Sequence, residues 1–495
     1  VTTTEPPVRP APRGRSAARA GWDVLRTWTA TTPARVWLLT VLCVTTVLGL
    51  FASASFTLGQ TREGLDVLGR DAGPQAMATT ELYLALADMD AKTSDVLLMG
   101  TDHDLGSGRD DALEQYEASR KQANEALLHA ASLTEGDTVE ERNVQEVLEG
   151  MGAYEQLATE ARLRNDEAEA PPGEVDGQAL ETYRRATLMM HTELLPKAFN
   201  LGLDSSAIVR ADHEERQASV AVGLLGVGGA GAAAMLALVA LQGFLRVRFR
   251  RRFNLPLLGA TLLTGALTLG AVLALDTSGG YQREAKEEGL DAAMSLARAQ
   301  AIATDMQADQ SRYLLDPEMA DNYQQVYLER AQQVLFRPVN NLEDYYDAVE
   351  EVAVSYPELP GRGGAGEDDP GTLGYLGQKA QDAVLPGHED ELAEVLEAYS
   401  ALQGQDEELR AAAGAGDTEE AIGVRMGITH SEDGAFRDYE QALGDLTDLH
   451  EEAFEQGIGR GDAVLAPWLW LLPAGAAALL LLILFGVRPR LTEYR

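Results

Sequence analysis

Four stretches of this 495-residue chain contain no Asp, Glu, Lys or Arg: residues 36–61, 217–245, 253–275 and 463–487. Each exceeds the roughly 20 residues that carry a helix across about 30 Å of hydrocarbon. Inside lipid a lone segment must pair every backbone N–H and C=O within itself, which leaves the α-helix as the expected form of each span. The chain divides accordingly into a tail (1–35), a first span (36–57), a long segment (58–217) and a second span (218–245). A short link (246–252), a third span (253–275), a second long segment (276–463), a fourth span (464–487) and a tail (488–495) follow.

Charge fixes the expected sides of the membrane. The first long segment holds 33 acidic and 14 basic residues, the second 42 and 12, within a net charge of −38. Outside these segments the acids number only three, Glu5, Asp23 and Glu493, and arginines crowd the ends of the spans. They include Arg26 and Arg35, then Arg246, Arg248, Arg250, Arg251 and Arg252, then Arg488 and Arg490. Basic residues are retained on the cytoplasmic side, so both tails and the link are expected inside the plasma membrane and both acidic segments outside. Such acidity excludes nucleic acid as a partner. The same five link arginines are candidates for contact with a cytosolic partner or anionic lipid head groups, although topology alone accounts for them.

Ala52-Ser53-Ala54 has the small-residue pattern of a signal-peptide cleavage site. The long tail before it and the equivalent span at 253 favour an uncleaved anchor. Cys43, the only cysteine, lies in the first span, so the outer segments hold together without disulfides. Residues 1–16 read as a disordered tail, and Trp22, Leu25 and Trp28 as a short interfacial helix.

Ala, Leu, Glu, Arg and Gln dominate both outer segments, which predicts helix throughout. In the first, helices are expected at 58–102, 111–131, 138–168 and from 178 into the second span, with turns at Gly106/Gly108, Gly136-Asp137 and Pro171-Pro172-Gly173. In the second, a long helix ends at Asp316-Pro317; 318–336, 342–354, 382–412 and 418–460 are helical, and 357–374 is a Pro/Gly-rich loop. The expected fold is all-α, with four transmembrane helices and two tandem four-helix bundles. Whether the bundles pack together is not decided by the pattern. Gly226, Ala230 and Ala234, Gly228 with Ala232, and Ala266 with Gly270 offer close-packing faces between spans, and Pro467 and Pro473 invite a kink in the fourth.

The two halves also share residues. The segment 87–98, ADMDAKTSDVLL, aligns with 304–315, TDMQADQSRYLL, at a constant offset of 217, matching Asp88/Asp305, Met89/Met306, Ala91/Ala308, Ser94/Ser311 and the Leu pair. The match falls at the same place after spans one and three, which points to internal duplication.

Chemistry is sparse. His191, His213, His388, His430 and His450 are scattered along helices without metal-ligand spacing, no glycine loop follows a strand, and no serine sits in a nucleophile elbow. Asp88 and Asp305 are candidates to orient a ligand amine, yet surface carboxylates on helices are mostly solvated. No charge lies within a span to mark a transport path. The expectation is a non-enzymatic, cofactor-free, receptor-like protein whose cytosolic pieces are too short to fold as an output domain.

In layout, in the Asp88-Met89/Asp305-Met306 repeat and in those short cytosolic pieces, the chain resembles the GlnX family of actinobacterial four-span signal proteins. The resemblance implies a relay from an extracytoplasmic amino-acid-binding lipoprotein to a soluble Ser/Thr kinase, PknG, and transfers no binding residue. A direct small-molecule sensor resembling a chemoreceptor, and a membrane scaffold without ligand, are the alternatives.

Overall fold

The computed structural model describes residues 32–101, 108–133, 138–249, 254–357, 374–381, 385–431 and 434–491. The expected disordered tail, the Trp22–Trp28 helix, the turns at Gly106 and Gly136-Asp137 and nearly all of the 357–374 loop lie outside these residues. Of 202–221 only the helical backbone is described. The described residues are all-α, without a strand.

The helices are α1 (Thr32–Asp66), α2 (Gly73–Met99), α3 (Arg109–Leu133), α4 (Thr138–Glu167), α5 (Gly177–Met189) and α6 (Leu195–Phe249) in the first half. The second half holds α7 (Leu255–Glu284), α8 (Asp291–Leu315), α9 (Ala320–Val334), α10 (Leu342–Ser355) and α11 (Gly374–Gln381). It ends with α12 (His388–Ala415), α13 (Thr418–His430), α14 (Ala435–Leu465) and α15 (Trp468–Leu491). Four helical stretches are long and apolar enough to cross a membrane, as the charge-free runs predict.

The chain forms two compact units. One comprises residues 1–62, 216–279 and 462–495; the other comprises 63–215 and 280–461. In the first, small residues let spans approach. A methyl added at Gly231 would lie 2.3 Å from Thr268 Cγ2, one at Gly223 2.5 Å from Thr57 Cγ2, and one at Gly270 2.9 Å from Trp468. Of the expected faces, Gly226 touches Ser53, whereas Gly228 meets open space and Ala232 and Ala266 are exposed. The residue that a helical stripe selects therefore depends on which neighbour it meets, which spacing alone does not show. Polar side chains add to the packing: Gln242 donates to Leu257 O (2.8 Å) and Thr261 Oγ1 (2.7 Å), and Asn254 donates to Gly486 O (2.9 Å). Pro467 separates α14 from α15, while Pro473 stays inside α15.

In the second unit the two acidic segments share a core. One apolar cluster joins α2, α3 and α4 to the α5–α6 region, with Leu82, Leu86, Met89, Tyr154 and Leu194 at its centre. A larger one runs through α8 to α14 but also takes in Val96, Leu97, Leu98, Ala161 and Tyr183 of the first half. The expected tandem bundles are thus fused: the repeat helices α2 and α8 pack on each other, and each also packs on its own partners, α3 and α9. A third cluster (Leu68, Ala76, Ala285, Leu290, Met294, Phe454) again draws on both halves.

Helix boundaries follow local chemistry. Asp176 caps α5 by accepting from the N–H groups of Gln178 and Ala179. Asp316-Pro317 stops α8, and Asn341 caps α10. The expected single helix from 418 to 460 is instead two, α13 and α14. Ser431 turns extended (φ −85°, ψ 156°), and a methyl at Gly434 would sit 2.6 Å from Ile428 O, so the chain turns there on a close backbone approach.

Three π-helical segments also escape the sequence: Val67–Ala72, Met190–Leu194 and Ala285–Leu290. Each closes on an i to i−5 bond, from Gly73, Leu195 and Asp291 to the carbonyls of Leu68, Met190 and Lys286. The first and third occupy matching places in the two halves, which supports duplication.

Gly289, in the third π segment, lets α14 approach: an added methyl would lie 2.6–2.8 Å from Phe454 Cβ, Cα and N. Gly289→Ala is therefore expected to destabilise by about 1–3 kcal/mol. Gly459→Ala, on an exposed helical face with nothing within 4 Å, should be neutral or stabilising by up to about 1 kcal/mol. Thermal melts of the two variants in detergent check both signs.

Candidate functional site

Polar residues of α2 and α8 that helical reading places on solvated faces are instead buried between the halves. Asp90 and Asp95 of α2, and Asp309 and Arg312 of α8, are each 3% exposed or less. Asp90 accepts from Arg312 Nη2, from Thr187 Oγ1 (2.8 Å) and from the Tyr154 hydroxyl (2.9 Å). Arg312 also donates to Asp309 (2.7 Å) and to the Tyr183 hydroxyl (3.1 Å). Arg330 of α9 binds the other oxygen of Asp309.

A second centre forms at Asp95. Its Oδ1 accepts from Arg425 of α13 (2.7 Å) and from Ser311 of α8 (2.7 Å), and its Oδ2 faces His430 Nε2 at 3.2 Å. A third link is the paired bond from Arg184 of α5 to Asp316 (2.9 and 2.7 Å). Every one of these centres joins a residue of the first half to one of the second.

Burial alone would raise the Asp90 carboxyl. The Arg312 guanidinium, with His191 and Thr187, more than offsets that and holds the group well below the usual carboxylate range. Asp95 is likewise held low against its burial, by Arg425, His430 and Lys92. Both remain ionised, so their partners must stay in place. A buried ion pair is weak evidence for stability over an apolar pair, but removing one partner costs several kcal/mol.

The expected sites fare unevenly. Arg246 is exposed near the end of α6, the Arg248 side chain and all of Arg250, Arg251 and Arg252 lie outside the described residues. Of the histidines expected on helix surfaces, His388, His430 and His450 are buried. His388 Nδ1 lies 3.0 Å from His450 Nε2, and burial pushes His450 down to about 4. His191 is partly exposed between Asp90, Arg312 and Arg330, and the His213 side chain lies outside the described residues. No group of three potential metal ligands occurs among the described residues.

Asp88 and Asp305, expected to be solvated, have diverged. Asp88 is half-buried and bonded to Ser119, with Lys92 3.8 Å away. Asp305 is 3% exposed and lines a cavity of about 390 Å³ beside the network. The cavity is built from α2 (Tyr83), the π segment at His191, α6 (Phe199), α8 (Arg298, Asp305), α9 (Arg330) and α11 (Tyr375). Arg330 Nη2 approaches Asp305 Oδ2 at 3.8 Å, while Asp305 Oδ1 is buried and accepts no hydrogen bond. The Arg298 guanidinium sits 5.1 Å above the Phe199 ring. The signals in the sequence were the conserved register of the repeat and the excess of charge within it, but pairing across 217 residues is not visible locally.

Residues 64–214 match a family model described as an actinobacterial sensor domain. No curated protein and no solved structure matches the chain. The matched region begins in the helical run after the first apolar stretch, contains Asp90, Asp95, Arg184 and His191, and ends within α6. Together with the four apolar helices it defines a multi-pass membrane protein with a sensing role.

Replacing Arg312 by Met takes away the main counter-charge of the buried Asp90 carboxyl. The expected loss is about 3–5 kcal/mol. Arg62→Gln, which removes the solvent-exposed bond to Asp462 (2.9 Å), should cost under about 1 kcal/mol. Denaturant titration of both variants against wild type reads the difference.

Proposed function

We propose that the chain is a plasma-membrane signal relay, with both tails and the arginine link in the cytoplasm and the acidic unit outside. In this reading an amino-acid-binding lipoprotein engages the outer unit, and a soluble Ser/Thr kinase is controlled through Arg246, Arg248, Arg250, Arg251 and Arg252. The observation that carries the sensing part is the family match over residues 64–214, which includes the residues that bind the second half. The lipoprotein and the kinase rest on the likeness in layout to the GlnX family.

The mechanism follows from chain connectivity. α1 contains the first apolar stretch and leads through a π segment into α2; α7 leads through the matching π segment into α8. A change in how α2 and α8 pair is therefore a change in two helices that enter apolar spans. Shifts of about 1–2 Å between packed helices are enough to act as a switch. Buried ion pairs favour discrete arrangements over gradual sliding, because intermediate positions leave charges without partners.

The relay is tested by capture. Full-length protein in nanodiscs should retain an amino-acid-binding lipoprotein from the same genome in one of its two ligand states, and a soluble Ser/Thr kinase independently. Replacing the five link arginines by Gln should abolish kinase capture and spare the lipoprotein. Failure to retain any such lipoprotein in either ligand state contradicts the relay.

A further inference from the structure

The cavity beside the network holds two groups that the protein's own contacts leave available. Asp305 Oδ1 is buried without a donor, although an unsatisfied carboxylate oxygen is costly away from water. Arg330, its nearest cation, is committed to Asp309 and lies 3.8 Å from the other oxygen of Asp305. Arg298 makes no ion pair or hydrogen bond among the described residues and rests on the Phe199 face. In the first half the aligned carboxylate, Asp88, is satisfied by Ser119 and Lys92. The duplication has thus satisfied one copy's carboxylate and left the other incompletely paired at the edge of a cavity of about 390 Å³, within the roughly 300–1,000 Å³ of small-molecule sites.

We propose that this cavity binds a small zwitterion whose ammonium and carboxylate are well separated. The ammonium pairs with the Asp305 carboxylate where it borders the cavity, and the ligand carboxylate meets Arg298. A simple cation would face Arg298 and Arg330, and a simple anion would face Asp305; only a ligand with both charges answers both groups. Asp305 and Arg298 stand seven residues apart on α8, two turns and about 10.5 Å along the axis. Helical side chains lean toward the N-terminus, so the longer Arg298 side chain widens that gap. The charged groups of an α-amino acid, on one carbon, stand far closer together than this rise, whereas those of a short peptide or an ω-amino acid match it. Tyr83 and Phe199, packed edge to face with centroids 6.4 Å apart, form an apolar wall for the chain between the two ends. Because the wall comes from α2 and α6 and the charges from α8, an occupant contacts both halves of the unit.

The proposal deepens the sensing role and is independent of the lipoprotein relay. Its test is calorimetry and thermal shift on the purified full chain, with no lipoprotein or kinase present. Triglycine and δ-aminovalerate represent the two sources of separated charges; glycine, pentylamine and valerate are the controls. At millimolar concentration at least one of the first two should release heat and raise the melting temperature, and the controls should do neither. Asp305→Asn and Arg298→Gln should each weaken binding about tenfold or more, the worth of one charge-assisted hydrogen bond. Arg298 is partly exposed, so its variant keeps the test open should Asp305→Asn fail to fold. The proposal is overturned if neither separated zwitterion binds, if a singly charged control binds as well, or if both folded variants bind like wild type. Because the readout is binding alone, failure here leaves the relay standing, and loss of lipoprotein capture leaves this site standing.

Discussion

The pairing of Asp90 with Arg312 is the interaction on which the unit of residues 63–215 and 280–461 depends. It joins the C-terminal half of α2 to the last turn of α8, where both helices are buried on nearly every side. An apolar pair at this place would tolerate rotation or a slip of one turn. The ion pair does not, because Asp90 is also held by Thr187 and Tyr154, and Arg312 by Asp309 and Tyr183. The network sets register between two halves of similar sequence, as single polar groups set register in coiled coils.

The repeat shows how such a network arises. Apolar positions are kept between the copies: Met89 and Met306, Ala91 and Ala308, Leu97 and Leu314, Leu98 and Leu315. Several polar positions have become complementary instead. Lys92 aligns with Asp309, and Asp95 with Arg312. The aligned residues do not meet each other: Arg312 crosses to Asp90, Asp95 crosses to Arg425 and Ser311, and Asp309 stays with Arg312 and Arg330.

Much of the architecture was legible in the chain. Runs without charge located the spans, Pro171-Pro172-Gly173 located the turn before α5, and Asp316-Pro317 ended α8 where proline must end a helix. The missed features share one physical cause, which is dependence on partners distant in sequence. Carboxylates of an amphipathic helix look solvated until the opposing helix supplies Arg312 or Arg425. The π segments leave hydrophobic period almost unchanged, since each adds about one residue to a turn. Gly231 became a contact point only because Thr268 faces it, whereas Gly270, an expected contact face, does meet Trp468. Of the candidate site, the sequence singled out Asp305 by its repeat, but neither Arg298 nor the aromatic wall.

If the halves form one cooperative body, their helices must open together. Native-state hydrogen exchange across a denaturant series, resolved by peptide, measures this directly. The account predicts that the slowest amides of α2 and α8 converge on a single opening free energy, and that α4 and α12 join the same unit. Separate isotherms for the two acidic segments, with one half retaining protection after the other has exchanged, would contradict it.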